Sequence, residues 1–237
     1  MKERILGIIP ARGGSKGIPR KNILPILGKP LICYTIESAL KSGVFFRLIC
    51  STDDKEIARI AKKHGAEVPF LRPKSLARDD ASMVPVLQHA VNFIEKQEGR
   101  RVDFVFCLQP TNPLRAPEDI ISGVRKIKRT GADSVIGVVK VDSDHPILMK
   151  KIVNSRLMPY ILEEKEGTRR QDYKPYAYKR SGSVYIVKRD ILMEKDSLWG
   201  DYTSPLILPK KRSIGIDDRT DLLLTELILK QGGRKKS

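Results

Sequence analysis

Between Ala11 and Asn22 the chain places three glycines (Gly13, Gly14, Gly17) among four cations (Arg12, Lys16, Arg20, Lys21), with Ser15 in their midst. Glycine lets backbone N–H groups come close to phosphate oxygens. Four cations on one short loop repel each other unless an anion sits among them, and a departing pyrophosphate is such an anion. The spacing has neither the Gly-Lys-Ser/Thr ending of a P-loop nor the Gly-x-Gly-x-x-Gly of a dinucleotide fold. The loop therefore predicts polyphosphate chemistry of another kind, the plain alternative being a surface turn. Farther on, Arg169 and Arg170 offer guanidinium forks suited to a carboxylate, or else form a solvated basic patch.

The elements that must position these groups follow from hydrophobic periodicity. Residues 5–9 form a continuous apolar run of strand length that ends at the glycine-rich loop, as a buried parallel strand does. Further strands are expected at 46–51, 67–71, 102–108, 134–139 and 183–187. Helices are expected at 31–40, 53–64, 84–95, 117–128 and 218–231. Alternation of the two implies βαβ units and a mainly parallel sheet covered on both faces. From about 141 to 180 the alternation fails and charged, Tyr-rich sequence takes over, which reads as an excursion from a single domain spanning 1–237.

Composition narrows the partners. The 237 residues carry 45 Lys and Arg against 28 Asp and Glu, a formal charge of +17, which concentrates anions near the surface. The cations are spread along the chain and the cluster Arg234, Lys235, Lys236 is too short for a nucleic-acid arm, so no nucleic acid is expected. No segment joins a basic face to a strong apolar one, so no membrane role is expected either. The opening apolar run breaks at Pro10 and Arg12, unlike a signal peptide or membrane helix, which predicts a cytoplasmic protein. Cys33, Cys50 and Cys107 are isolated in apolar stretches and read as reduced core thiols.

The stretch 11–22 resembles the signature of acylneuraminate cytidylyltransferases (CMP-N-acetylneuraminic acid synthetases). Ser51-Thr52-Asp53, Arg72-Pro73, Asp79-Asp80-Ala81-Ser82, Gln109-Pro110-Thr111-Asn112-Pro113-Leu114-Arg115 and Arg169-Arg170-Gln171-Asp172 resemble its later blocks in the same order. The resemblance implies a Rossmann-like nucleotide-diphospho-sugar transferase fold, with the excursion pairing two subunits as a homodimer. It implies a reaction in which CTP activates an acidic nonulosonic sugar, giving CMP-sugar and pyrophosphate.

Carried over by position, Arg12, Ser15, Lys16 and Lys21 hold the triphosphate beside Gly13 and Gly14, and Asn22 orients it. Ser82 faces the cytidine, though a serine there also suits a helix N-cap. Gln109, Arg170 and Ser181 belong to the sugar side. Asp217 is the magnesium ligand, one or two carboxylates sufficing when phosphates supply the rest; capping of the last helix by Asp217 and Asp218 is the alternative. Arg12, Lys16, Lys21 and Asp217 are thus the expected catalytic set.

Three departures stand out. Gly215 occupies the place of the family's first aspartate, Ser181-Gly182 replaces Asn-Gly, and His145-Pro146 lacks an immediate lysine. The readings left open are a nucleotidyltransferase for another nucleotide or sugar, and a non-catalytic nucleotide- or RNA-binding relative.

Overall fold

The structure is a computed structural model that describes residues 3–15, 17–141 and 143–233. The first apolar run forms β1 (Ile5–Pro10), buried along nearly its whole length. A small hairpin, β2 (Pro25–Ile26) with β3 (Lys29–Pro30), leads into α1 (Leu31–Ser42). There follow β4 (Arg47–Ser51), α2 (Lys55–Lys63), α3 (Met83–Glu98), β5 (Phe104–Cys107), α4 (Pro117–Thr130) and β6 (Ser134–Val141). The chain then runs through β7 (Lys150–Val153), β8 (Arg156–Pro159), β9 (Ala177–Lys188), α5 (Arg189–Glu194), β10 (Thr203–Ile207) and α6 (Arg219–Gly233).

The main sheet has the order β10-β6-β9-β5-β1-β4. Pairings β1 with β4, β1 with β5 and β10 with β6 are parallel, whereas β9 runs antiparallel between β5 and β6. Alternate side chains go to opposite faces, as strand geometry requires. Ile5 and Ile9 of β1 and Phe106 of β5 pack with α1, α2 and α4, while Leu6, Ile8 and Val105 pack with α3 and α5.

The strand expected at 67–71 does not form. Pro69 has no N–H for a ladder, and only a bridge from Ile49 to Glu67 remains. In the main sheet two strands exceed expectation. Edge strand β10 tolerates Pro205 where a central strand would not, and β9 begins at Ala177 because a register shift between Ile136 and Val138 lets it continue along β6. The segment outside the sheet is therefore 143–176, which carries the hairpin β7–β8. Cys33, Cys50 and Cys107 are buried free thiols, pushed by burial up to about 11, 12 and 12. Among the described residues no helix is long and apolar enough to cross a membrane.

Candidate active site

Three loops meet beyond the carboxyl ends of β1, β4 and β5, the place where open parallel sheets collect ligands. The loop after β1 is pinned at its far end. Arg20 takes left-handed backbone (φ 53°) and pairs with Asp54 at 3.1 Å and Glu56 at 2.7 Å, so it serves the N-terminus of α2. Buried Asn22 donates to the Arg12 carbonyl at 2.9 Å and holds the loop's arc. Gly13 departs from expectation, because its N–H donates to Asp53 at 3.0 Å and is taken up by that carboxylate instead of facing a phosphate. Gly14 has open space around its Cα. Lys16 lies outside the described residues.

What the loop does present is a cavity of about 460 Å³, walled by Arg12, Ser15, Lys21 and Asn22 on one side and Arg72, Arg78 and Asp79 on another. A second cavity of about 420 Å³ adjoins it, lined by Asn112, Lys179, Ser181, Gly182, Gly215 and Asp221. Gln109, Thr111 and Asp217 line both.

Asp217 is placed by its neighbours. Ile216 N–H donates to the Thr111 carbonyl at 2.8 Å, Asn112 donates to the Ile214 carbonyl at 3.3 Å, and Lys21 Nζ donates to the Ile216 carbonyl at 2.8 Å. Farther up the strap, Arg212 grips buried Asp119 at 2.8 and 3.1 Å. Of the two aspartates expected as alternative caps, Asp218 does cap the last helix, its Oδ1 accepting the Asp221 N–H, while the Asp217 side chain does not; Asp221 Oδ2 in return accepts the N–H groups of Asp217 and Asp218. The Asp217 carboxylate stays 90% exposed, with Lys21 Nζ 3.5 Å away.

Among the described residues no group of three His, Cys, Asp or Glu side chains gathers as a metal cage. One open carboxylate beside a cavity lined by cations is nevertheless a donor set that suits magnesium, which keeps waters and takes the remaining oxygens from a nucleotide. A side chain at 215 would have room, since a Cβ there meets only Asn112 Nδ2 at 3.5 Å. Glycine supplies no ligand.

Two expected contacts, Ser82 and Arg170, are placed differently, and a third, Ser181, keeps its place beside Gln109 with its hydroxyl engaged. Ser82 is exposed and its hydroxyl caps α3 by accepting from Val84 N–H, while its neighbours Ala81 and Met83 line the first cavity. Ser181 lines the second cavity, but its hydroxyl is engaged with Ser183 at 3.0 Å, and Ser183 Oγ in turn reaches the Arg212 carbonyl. Arg170 lies in a separate cleft of about 310 Å³ with His145, Tyr173 and Tyr176. Among the described residues only Lys140 and Val141 are shared by that cleft and the second cavity, and Arg170 and Gln109 line different ones.

Two arginines carry more of the architecture than their motif positions announced. Arg115 is buried and donates to the carbonyls of Ser183 (2.6 Å), Gln109 (2.8 Å) and Gly182 (3.3 Å) and to Thr35 Oγ1 (3.2 Å). Burial pulls its pKa down to about 10, still well above neutrality, so it remains a full donor. Arg72, also buried, lines the first cavity and holds Ser51 through both its hydroxyl and its carbonyl. Burial lowers its pKa while nearby Asp53 opposes the shift. A side chain at Gly182 would displace both neighbouring amides, because a Cβ there would sit 2.1 Å from Asn112 Oδ1 and 2.5 Å from Gln109 Oε1.

A family model described as cytidylyltransferase matches residues 6–199. The chain is 36% identical over 225 residues to pseudaminic acid cytidylyltransferase of Campylobacter jejuni subsp. jejuni serotype O:2, covering 95% of this chain and 96% of the relative. It is 32% identical over 239 residues to N-acylneuraminate cytidylyltransferase of Escherichia coli O18:K1:H7, covering 100% of this chain and 54% of that one. The solved structure of CMP:2-keto-3-deoxy-manno-octonic acid synthetase complexed with CTP shares its fold, with a TM-score of 0.71, 20% identity, and coverage of 97% of this chain and 100% of that one. With the glycine-rich loop after β1, the Gln109 block and the Asp217 strap converging as described, these matches show that the chain belongs to the acylneuraminate cytidylyltransferase family of CMP-sugar-forming enzymes.

Proposed function

We propose that the chain couples CTP to an acidic nonulosonic sugar, forming CMP-sugar and releasing pyrophosphate. The observation that carries this reading is the pair of adjoining cavities that share Gln109, Thr111 and Asp217, the first lined by Arg12, Lys21, Arg72 and Arg78 and the second by Lys140, Lys179, Arg180 and Lys210 among polar groups. The triphosphate lies in the first, where Arg12, Ser15 and Lys21 face its oxygens. The sugar lies in the second, its anomeric hydroxyl turned across the shared wall toward the α-phosphorus.

In-line attack forms the new P–O bond as the bond to pyrophosphate breaks. Arg12 and Lys21 take up the charge that moves onto the leaving group, and the hydroxyl proton passes to Asp217 through a water. Asp217 is the residue that would hold magnesium, whose chemistry when bound is to neutralise phosphate charge as a Lewis acid. Because CTP is an intracellular nucleotide, the reading places the protein in the cytoplasm.

The test is pyrophosphate release from purified protein with magnesium, each of the four NTPs, and a panel of nonulosonic acids and neutral sugars. Release only with CTP and an acidic sugar is the expected result. Turnover of a neutral sugar or another NTP would overturn the substrate assignment. Silence with CTP still bound would favour the non-catalytic relative and point to Gly215.

The hairpin β7–β8 and its flank expose Ile152 (77%), Leu157 (71%) and Ile161 (73%), more apolar surface than a lone hairpin in water tolerates. The proposed role of 143–176 is to pair two copies and carry each Arg170 toward the partner's second cavity. The double variant Ile152→Asp, Leu157→Asp is then expected to sediment as a monomer and to lose sugar affinity more than CTP affinity. A dimer unchanged by both aspartates would remove the hairpin from the interface.

A further inference from the structure

We propose that Asp79 is a positioning residue for Arg12: its carboxylate holds the guanidinium while no nucleotide is bound and gives it up to phosphate on binding. The inference rests on reading the first cavity as the triphosphate site. Asp79 Oδ1 lies 2.6 Å from Arg12 Nη1, and the same nitrogen donates to the Arg78 carbonyl at 3.1 Å. Both acceptors sit on the segment between the 3-10 turn Lys74–Leu76 and α3, facing the loop after β1 across the cavity. The adjacent Asp80 is turned to the Arg78 side chain at 2.8 and 3.0 Å, so Asp79 is the carboxylate that Arg12 meets.

Carboxylate and phosphate oxygens compete for the same guanidinium N–H groups. With Asp79 in place, an arriving polyphosphate finds Arg12 already engaged and a resident negative charge beside it. Binding is therefore an exchange of anions. As the phosphate takes Arg12, like-charge repulsion moves Asp79 aside, and the segment that carries Ala81 and Met83 moves with it. The exchange also runs backwards: Asp79 reclaims Arg12 as pyrophosphate departs. Polyphosphate is thereby held less tightly than the cations alone would hold it.

Calorimetric titration of the full chain with inorganic pyrophosphate, CTP and cytidine tests this. Asp79→Asn is expected to bind pyrophosphate and CTP roughly fivefold more tightly, the scale of a partly exposed ion pair, with cytidine affinity unchanged. Asp79→Glu, which keeps the charge, should stay near the parent. In an Arg12→Gln background the gain from Asp79→Asn should fall by at least half.

Pyrophosphate affinity that is unchanged or weaker in Asp79→Asn would overturn the proposal. So would a full gain without Arg12, which would reduce the effect to bulk charge. A parent protein that binds no pyrophosphate would sink the triphosphate reading and this inference together. Pyrophosphate bound without turnover of any acidic sugar would remove only the proposed sugar chemistry, leaving the binding comparisons to decide the role of Asp79.

Discussion

Asp217→Asn is expected to slow pyrophosphate release about 10²- to 10³-fold, the usual cost of removing one preorganised electrostatic group from a reacting centre. Thermal unfolding should stay within about 2 °C of the parent, because a largely exposed side chain away from packing contributes little to stability. Both halves follow from placement. The carboxylate is 90% exposed and its nearest ion-pair partner is Lys21 at 3.5 Å, while the cap of α6 uses the Asp217 backbone N–H and leaves its side chain out. Asparagine keeps the shape and removes the anionic oxygen that would ligate magnesium. Rates measured across a magnesium titration, beside a melting curve, separate the two effects. Normal turnover in the variant would move both the metal and the proton away from this residue.

Arg115→Met should act in the opposite way, through the fold. Its guanidinium ties the Gln109 turn, the Ser183 and Gly182 carbonyls of β9 and Thr35 of α1 into one knot. Methionine fills much of the volume but leaves buried carbonyls unpaired, each costing about 1–3 kcal/mol and not additively. The expected loss is roughly 3–5 kcal/mol, the scale of several hydrogen bonds to one charged donor lost together, read as a lower urea midpoint. Whatever folds should also show a reduced kcat, since the carbonyl of Gln109 loses its anchor. Arg115→Lys restores the charge without the planar fork and should recover only part of the loss. A midpoint unchanged in Arg115→Met would mean that water reaches those carbonyls.

The alternation of apolar runs announced the layered sheet because burial on both faces leaves a strong signal, as at 5–9 and 102–108. Where a strand sits at an edge or runs antiparallel, that signal thins. Thr203–Ile207 carries a proline and half-exposed residues, and the first residues of β9 are largely exposed, so neither read as a strand. Val68 and Phe70 flank Pro69 in a run whose hydrophobicity reflects packing against the core without a ladder.

That the loop at 11–22 walls a cavity was legible because glycines and cations at that density have few other uses. Its wiring was not. Nothing in the spacing tells that Asp53 takes the Gly13 N–H, that Arg20 turns away to α2, or that Arg12 meets Asp79, because these are contacts between loops far apart in sequence. Arg72 and Arg115 stood inside recognisable blocks, yet a buried structural arginine and a ligand-binding one look alike until burial is known. Ser82 offered two uses from the start, and the helix took it.

The bond from Lys21 to the Ile216 carbonyl joins residues 195 positions apart, and a Cβ on Gly17 would press within 2.8 Å of the Asp217 carbonyl. At about 5–20 residues per second, a ribosome takes roughly 10–40 s to extend the chain from one side of that contact to the other. For that interval the nascent chain carries the loop proposed to hold the triphosphate without Asp217, the carboxylate proposed to serve beside it. Strands β1, β4 and β5 can associate early, but the reaction centre closes last. If Asp217 serves as proposed, a chain interrupted before residue 214 is a fold with its chemistry missing, and such incomplete products of translation are expected to consume no nucleotide.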